Sequence, residues 1–315
     1  MPNVSLAALD LGSNTFRLIT ANEPTEERLF SGRCVWQQIP RLSQGLSPGG
    51  RLGQEPKNRA WQALEGFQKT IENLKPKRIL AGGTMVFRQA SDGAEFMDLI
   101  GHRFGWETYV LTGAQEARLS ALGVLSGLEL TTPAALIFDV GGRSTEFIAL
   151  NGRSIVKTIS LEMGVVGLFE EFIRNDPPTP KELSAVKRKI LSLLKNSGLE
   201  PLPSDSILVG TAGTLTTMAA MIMELRDYDG ELVNNQVFNL SSVLDLLTDC
   251  ANENLNERLK RPGLDPRRSD VIVPGLVEVA SILEFFEKDR LTVSDNSLLE
   301  GLWLAAAGLA PLSDS

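Results

Sequence analysis

Histidine and cysteine are scarce in this sequence of 315 residues, and their scarcity excludes several kinds of site. The single histidine, His102, excludes a zinc centre built from several histidines and argues against a Ser-His-Asp triad. We interpret it as an ordinary helix-surface residue. Two cysteines, Cys34 and Cys250, cannot form a disulfide framework and fit a reducing compartment.

Long apolar runs are also missing from the sequence. No stretch approaches the length that spans a membrane, and the first residues, MPNVSLAALD, lack the basic region and the cleavage site of a secretory signal. The sequence therefore predicts a cytoplasmic protein with no membrane partner.

Positive charge is outnumbered, because 31 Lys and Arg residues stand against 39 Asp and Glu residues and give a formal net charge of −8. A general nucleic-acid-binding protein usually carries a basic face, so we expect no nucleic-acid partner. The same charge does not exclude a small or linear polyanion that binds in a locally cationic cleft.

What the sequence does contain is a regular alternation of strand and helix patterns. In its first part, strands are predicted at 4–11, 16–22, 28–37, 78–83 and 106–111, and helices at about 56–74, 93–104 and 113–125. The letters TTP at 131–133 interrupt this order. It then restarts with strands at 134–140, 145–150 and 154–161, followed by helices, a strand at 207–211 and a final apolar helix at about 297–310.

An internal repeat accompanies this restart. ALDLGSNTFRL at 8–18 and IFDVGGRSTEFI at 137–148 share an apolar strand, an aspartate, a glycine and a hydroxyl residue. Asp10 aligns with Asp139, and Thr15 aligns with Ser144 or its neighbour. The repeat predicts two similar α/β lobes that face each other, with a tight turn from each lining the cleft between them.

Three turns rich in small residues have the composition of phosphate-binding turns. They are DLGSNT, DVGGRST and TAGT, and the last one precedes a helix rich in Ala and Met. Small residues let backbone N–H groups approach an anion closely, and Asn14 tolerates left-handed backbone angles. Each turn alone is equally consistent with a plain hairpin or close helix packing. Three in one chain favour a polyphosphate or nucleotide-phosphate site.

Two further sets of residues are candidates for chemistry. Thr112 and Gln115 form a capping box, which leaves Glu116 without a capping role, and a solvated helix glutamate is the default interpretation for it. Arg17, Arg41 and Arg88 lie near turns, where guanidinium groups suit phosphate oxygens, although a surface ion pair explains any one of them alone. We interpret the charges from Arg258 to Arg268 as a solvated helix face or loop.

The motifs together resemble the exopolyphosphatase/guanosine pentaphosphate phosphohydrolase (Ppx/GppA) family, in its short form without a C-terminal HD-type domain. The likeness covers nearly the whole chain and rests on ALDLGSNTFRL, RLSQGL, GGTMVFRQA, TGAQEARLSALGV, IFDVGGRSTE, SLEMGVV, VGTAGTLTT, RRSDVIVPG and VSDNSLLEGL. It implies an α/β, actin-like ATPase fold with two RNase-H-like lobes around a cleft. The lobes would comprise residues 1–129 with 297–315, and residues 130–296.

The resemblance also implies roles for individual residues. Glu116 matches the glutamate that activates the attacking water, and Asp139 and Glu146 match carboxylates that hold Mg²⁺ or Mn²⁺ or assist the base. Asp10 is similar to the metal-binding carboxylate of the first lobe. The implied phosphate contacts are Gly12, Ser13, Asn14, Arg17, Arg88, Gly141, Gly142, Arg143, Ser144, Gly210, Gly213 and Thr214.

The sequence departs from the family pattern at Arg143, where a third glycine is usual, and at Met85, where a small residue is usual. A positive φ at Arg143 would cost roughly 1 kcal/mol relative to glycine. Arg143 then has two possible roles. It points into the cleft and binds phosphate, which we favour because the carboxylates remain, or it fills the space that the phosphate should occupy.

The function implied is hydrolysis of a terminal phosphoanhydride bond, which releases orthophosphate from inorganic polyphosphate or from pppGpp. Because a net charge of −8 leaves only local basic patches, we favour short chains or a nucleotide. A sensor that binds (p)ppGpp or polyphosphate without turnover is one alternative. An actin-like sugar kinase or ATPase is disfavoured, since no sugar-site pattern is present. By analogy, the final helix packs on the first lobe, with a dimer contact as the alternative, and we expect a homodimer.

Overall fold

The structure, a computed structural model, describes residues 6–25, 28–47, 49–128, 130, 132 and 134–312. Up to residue 127 its elements are β1 (Leu6–Leu11), β2 (Phe16–Ala21), β3 (Cys34–Gln38), α1 (Gln54–Leu74), β4 (Arg78–Gly83), α2 (Met85–Gln89), α3 (Gly93–Phe104), β5 (Glu107–Val110) and α4 (Gly113–Gly127).

The later elements continue the alternation that the sequence predicts. They are β6 (Ala134–Val140), β7 (Thr145–Asn151), β8 (Ser154–Leu161), α5 (Val165–Phe172), α6 (Pro180–Asn196), β9 (Ile207–Thr211), α7 (Ala212–Ile222), α8 (Gly230–Val233), β10 (Gln236–Asn239), α9 (Leu240–Asn252), α10 (Leu255–Arg258), α11 (Ile272–Phe285), β11 (Arg290–Val293) and α12 (Leu298–Ala306), with a 3₁₀ turn at Pro266–Arg268.

Two sheets share one strand arrangement. The first has the order β3-β2-β1-β4-β5 and the second has the order β10-β11-β9-β6-β7-β8. In each, three antiparallel strands come first, and the next strand then joins the first one in parallel. This is the RNase-H-like arrangement expected from the repeat, so the α/β actin-like fold class is confirmed.

The chain divides into two compact units that each contain one sheet. One unit combines the residues up to Ser126 with those from Ser297 onward, and the other spans Gly127–Asn296. The division expected from the sequence places its first boundary at 129 instead of 126. The return of the C-terminal segment to the first unit is explained by the burial of α12.

Strand β1 shows how the first unit is packed. Ala7, Leu9 and Leu11 contribute to one apolar cluster, which includes Leu64 of α1, whereas Leu6 and Ala8 contribute to another. Alternate residues of a strand face opposite sides of its sheet, so helices cover both faces. The second cluster contains α12, all of whose residues are buried. The final helix therefore packs on the first unit, as the resemblance implies.

Helices α4 and α12 approach each other closely through two glycines. A Cβ on Gly301 would overlap the carbonyl oxygen of Leu119, and one on Gly123 would overlap the carbonyl oxygen of Ser297. Both obstacles are backbone atoms, which cannot rotate away. Glycine is therefore required at this crossing by packing and not by backbone angle.

Gly301→Ala is expected to destabilise the protein by about 1–3 kcal/mol, because the added methyl group forces the two helices apart. Gly66→Ala is the matched control, since Gly66 is exposed in α1 and no atom lies within 4 Å of the added Cβ. Alanine should stabilise that helix by roughly 0.5–1 kcal/mol. Urea unfolding midpoints measure both changes, and equal midpoints for the two variants would contradict the expectation.

Several local predictions need correction. The third strand begins at Cys34 instead of residue 28, and the first long helix begins at Gln54, with Pro56 in its first turn. Arg258 was placed on a solvated face, but its side chain is only 4% exposed and donates to the carbonyl oxygens of Cys250 and Ser269. Residues 4, 5, 131 and 133 of the predicted segments lie outside the described residues.

Within the described ranges, no helix combines the length and apolar character needed to cross a membrane.

Candidate active site

The two hairpin turns of the repeat have the same backbone closure. The Gly12 amide donates to the carbonyl oxygen of Thr15 at 2.9 Å, and the Gly141 amide donates to that of Ser144 at 3.0 Å. Thr15 therefore corresponds to Ser144. A Cβ on either glycine would lie 2.9 Å from the accepting oxygen, so close approach requires glycine at both places.

The middle residues of these turns do not have left-handed backbone angles. Neither Asn14 nor Arg143 has a positive φ. Asparagine and arginine are therefore accommodated without backbone strain, and the expected cost of replacing glycine does not arise. The nearby Arg41 does have a positive φ, of 51°, and its amide donates to the carbonyl oxygen of Asn14.

Other segments occupy the carbonyl oxygens of both turns. Those of Ser13 and Asn14 accept from Ser43 and Arg41, each at 3.0 Å. In the second turn, the carbonyl oxygens of residues 141–143 accept hydrogen bonds from the N–H groups of Gly164 and of the first residues of α5. A trans peptide directs its N–H away from its carbonyl, so the N–H groups of Asn14, Gly142 and Arg143 point away from these segments.

The outward amides are available to a ligand. Among the described residues, the N–H groups of Ser13, Asn14, Gly142 and Arg143 donate no hydrogen bond to another protein group. Adjacent unpaired amides of this kind form an anion-binding surface. The geometry supports the prediction that both turns contact phosphate.

The third small-residue turn leads into α7. Its N-cap residue, Thr211, provides no side-chain cap, and Ala212 has a φ of 71°, a value that L-residues rarely adopt. Gly213 follows in the first helical turn. Its Cα lies under the guanidinium group of Arg268, because a Cβ at Gly213 would overlap that group. A nearly buried arginine at the positive end of a helix is consistent with an anion there.

The residues predicted for this third turn have separate positions. Gly210 lies in strand β9, before the turn, where a Cβ would crowd Leu215 and Phe138. Thr214 is buried and packs against Gly275 of α11. Packing explains both, so their contact with phosphate stays a prediction. Arg268 was interpreted as loop charge, and its position over Gly213 depends on a long-range contact that no local pattern reveals.

Two carboxylates of the second unit lie side by side. Asp139 on β6 and Glu146 on β7 are opposite each other in the antiparallel register, which places both side chains on one face. Glu146 Oε1 accepts hydrogen bonds from Ser144 Oγ at 2.6 Å and Ser160 Oγ at 2.8 Å. Ser144 therefore contacts Glu146 as well as belonging to the turn. Ser160 was not identified from the sequence.

This carboxylate pair suits a small divalent cation. No cluster of three or more His, Cys, Asp or Glu side chains with metal-binding geometry occurs in the part of the chain that the structure describes. Mg²⁺ does not require one, since it commonly takes one or two carboxylates and completes its shell with water and phosphate oxygens. Asp139 and Glu146 fit that pattern.

A third carboxyl group, which sequence reasoning missed, lies behind this pair. Glu278 of α11 is fully buried, and its Oε1 accepts a hydrogen bond from the hydroxyl of Thr145, the residue before Glu146. Burial raises the pKa of Glu278 well above its usual value, and the nearby charge of Glu146 adds to this effect. The raised pKa favours the protonated form of Glu278 in the folded protein.

Glu278→Gln is expected to stabilise the protein at higher pH. The folded wild type keeps a proton that the unfolded chain releases above about pH 4.5, so its stability falls as pH rises, whereas glutamine stays neutral. Urea unfolding at pH 5 and pH 8 should show an advantage for the variant that grows by more than about 1 kcal/mol. The same difference at both pH values would show that Glu278 is ionised in the folded state.

The first unit presents an aspartate opposite an arginine. Asp10 pairs with Arg17 in the register of β1 and β2, and Arg17 Nη1 donates to Ser297 Oγ at 2.8 Å. Burial raises the pKa of Asp10 to about 6, Arg17 opposes this rise and Glu300 adds to it. A cation beside Asp10 would oppose the effect of burial, and the metal role of Asp10 stays a prediction.

Glu116 lies in a structured environment. Thr112 and Gln115 form the predicted capping box, with hydrogen bonds of 2.9 and 3.2 Å, so Glu116 has no capping role. Its Oε2 accepts from Arg88 Nη1 at 2.7 Å, and its side chain is 14% exposed. Arg88 Nη1 also donates to the carbonyl oxygen of Leu111. The default interpretation of a solvated glutamate is therefore wrong.

Arg143 forms an ion pair with a neighbouring helix, and the two roles expected for it stay predictions. Its Nη1 lies 2.8 Å from Oε2 of Glu170 on α5, the helix that packs against the carbonyl oxygens of the turn. The guanidinium group is thus held on α5.

Comparisons with known proteins agree with these features. Residues 35–308 match the family model of the Ppx/GppA phosphatase family. Exopolyphosphatase 2 of Mycobacterium tuberculosis is 29% identical over 96% of this chain and 98% of that protein. The crystal structure of the Aquifex aeolicus Ppx/GppA family member is 30% identical, with a TM-score of 0.81 over 95% of this chain and 96% of that one.

A structure of an exopolyphosphatase from Cytophaga hutchinsonii is 23% identical and has the same fold, with a TM-score of 0.86 over 98% of this chain and 99% of that one. The family match spans most of the chain and includes the second and third turns and the carboxylates at 116, 139 and 146. This protein therefore belongs to the Ppx/GppA phosphatase family.

Proposed function

We propose that the protein hydrolyses the terminal phosphoanhydride bond of inorganic polyphosphate or of pppGpp and releases orthophosphate. The observation that carries this proposal is the pair of equivalent turns, each with unpaired amides that point away from the segments packed on it. Such turns bind phosphate groups. Glu146, which pairs with Asp139 in the strand register, lies beside the second turn.

Glu116 is proposed as the base that accepts a proton from the attacking water. The 2.7 Å contact with Arg88 orients its carboxylate, which is the group that would accept the proton. Arg88 uses Nη1 for Glu116 and Leu111, and among the described residues its other nitrogens have no protein partner. Those nitrogens can bind a phosphate oxygen.

Asp139, Glu146 and Asp10 are proposed as the residues that hold Mg²⁺ or Mn²⁺. Such a cation, when bound, neutralises charge on the phosphoryl oxygens. The hydroxyls of Ser144 and Ser160 fix Glu146 Oε1, so this carboxylate needs little reorganisation to bind the cation.

Short polyphosphates or a nucleotide are the proposed substrates. A net charge of −8 opposes a long polyanion outside the local cationic groups. A (p)ppGpp or polyphosphate sensor without turnover is the alternative. The observation in its favour is the position of Arg143, whose side chain is held by Glu170. A homodimer is also proposed. Helix α12 is buried, so it does not provide the dimer contact.

The test is orthophosphate release by the purified protein with Mg²⁺ from tripolyphosphate, long-chain polyphosphate and pppGpp. Release that requires Mg²⁺ and fails in Glu116→Gln supports the hydrolase. No release from any of the three, together with binding of at least one, would overturn the hydrolase and favour the sensor.

A further inference from the structure

The Arg143–Glu170 ion pair is not needed to hold α5 against the second turn. The amides of Gly164, Val165 and Val166 already donate to the carbonyl oxygens of residues 143, 141 and 142, at 3.2, 3.1 and 2.9 Å. These backbone bonds fix the turn and the helix together. The ion pair is an additional link between two side chains that are 25% and 46% exposed.

An ion pair this exposed is weak and easily exchanged. Water screens the attraction, and holding two long side chains in one geometry costs conformational entropy. A phosphate group offers a stronger partner, because its oxygens match the guanidinium fork and its charge exceeds that of a carboxylate. Glu170 is therefore a competitor that a phosphate can displace.

The turn places Arg143 where this exchange can occur. The N–H of Arg143 points away from α5 with the other unpaired amides, whereas its side chain runs towards α5. Rotation about the side-chain bonds changes the position of the guanidinium group and leaves the backbone in place. The same residue then contributes either an amide alone, or an amide and a guanidinium, to a bound anion.

We propose that Glu170 weakens anion binding at the second turn by competing for Arg143. The ligand is an oxyanion of the phosphate class. The inference rests on the proposed function in one respect, namely that the second turn is a phosphate site. An orthophosphate or polyphosphate group that binds the Arg143 guanidinium must displace Glu170, so the ion pair lowers the affinity for both. The Arg143 side chain thus binds phosphate only when its ion pair with Glu170 breaks.

The experiment measures binding of tripolyphosphate and of orthophosphate, by calorimetry with Mg²⁺, in a Glu116→Gln background that prevents turnover. Glu170→Gln is expected to bind both anions about two- to fivefold more tightly, since an exposed pair of this kind is weak. Arg143→Gln should bind tripolyphosphate about tenfold more weakly. In the Arg143→Gln background, Glu170→Gln should have no further effect.

Glu171→Gln is the matched control, because Glu171 is the next residue of α5 and is exposed. This substitution removes the same charge but breaks no ion pair. It should leave both affinities unchanged. The proposal is overturned if Glu170→Gln binds no more tightly than wild type, if its effect persists without Arg143, or if Glu171→Gln has the same effect. Binding and orthophosphate release are measured separately. The binding result can therefore be interpreted even if the protein releases no orthophosphate.

Discussion

Glu116→Gln is expected to lower kcat for orthophosphate release by about 10²–10⁴-fold, while the protein still binds its substrate. Proton acceptance by a positioned carboxylate contributes an effect of this size, and glutamine has the same shape but cannot accept the proton. Arg88 keeps a hydrogen-bond acceptor at the amide oxygen, so the 2.7 Å contact and the fold should survive. The loss should therefore appear in kcat and not in substrate affinity.

Steady-state kinetics with tripolyphosphate and pppGpp, together with calorimetric binding, measure this effect. Glu55→Gln is the matched control, because Glu55 lies in the first turn of α1 as Glu116 lies in the first turn of α4. The control removes a helix-terminal charge without touching the candidate site, and its kcat should be unchanged. A Glu116→Gln protein with wild-type kcat would remove Glu116 from the mechanism.

Gly164→Ala is expected to lower kcat/KM by at least about 100-fold and to destabilise the second unit. A Cβ at Gly164 would overlap backbone atoms of Gly142 and Arg143, which cannot move aside without displacing the turn. A displacement of about 1 Å at a phosphate-binding group costs roughly this factor, and overpacking adds about 1–3 kcal/mol of instability.

Gly167→Ala provides the control in the same helix. Nothing lies within 4 Å of a Cβ at Gly167, so alanine there should stabilise α5 slightly and leave catalysis unchanged. Kinetics and urea unfolding of both variants distinguish the two outcomes. A Gly164→Ala protein with normal kcat/KM would show that the turn does not bind the substrate.

Local patterns predicted most of the secondary structure because they depend on neighbours in the sequence. The repeat at 8–18 and 137–148 predicted two equivalent hairpins, and the capping box at Thr112 and Gln115 predicted the start of α4. Apolar alternation and turn chemistry act over a few residues, so they are readable without a structure. The start of α1 at Gln54 was harder to predict because its N-cap residue, Gly53, has no side chain that could cap the helix.

The partners of charged side chains could not be predicted in this way. Arg258 is buried among carbonyl oxygens, Arg268 covers Gly213, and Arg143 binds Glu170, although all three are ordinary arginines by sequence pattern. By sequence, Glu278 is a single polar residue in an otherwise apolar helix. In the structure it is a buried carboxyl group beside the candidate site. For Arg268, Arg143 and Glu278 the environment comes from segments that are distant in sequence, whereas the carbonyl partners of Arg258 lie 8 and 11 residues away.

The sequence by itself determined the α/β class, the two repeated hairpins and the residue types that suit phosphate and a divalent cation. Tertiary structure alone decided that Arg143 is held by Glu170, that Glu278 is buried against Thr145, and that Glu116 pairs with Arg88. The reason is physical. Secondary structure follows from short-range sterics and periodicity, whereas the charge state and orientation of a functional side chain depend on burial and on the charges that the fold brings next to it.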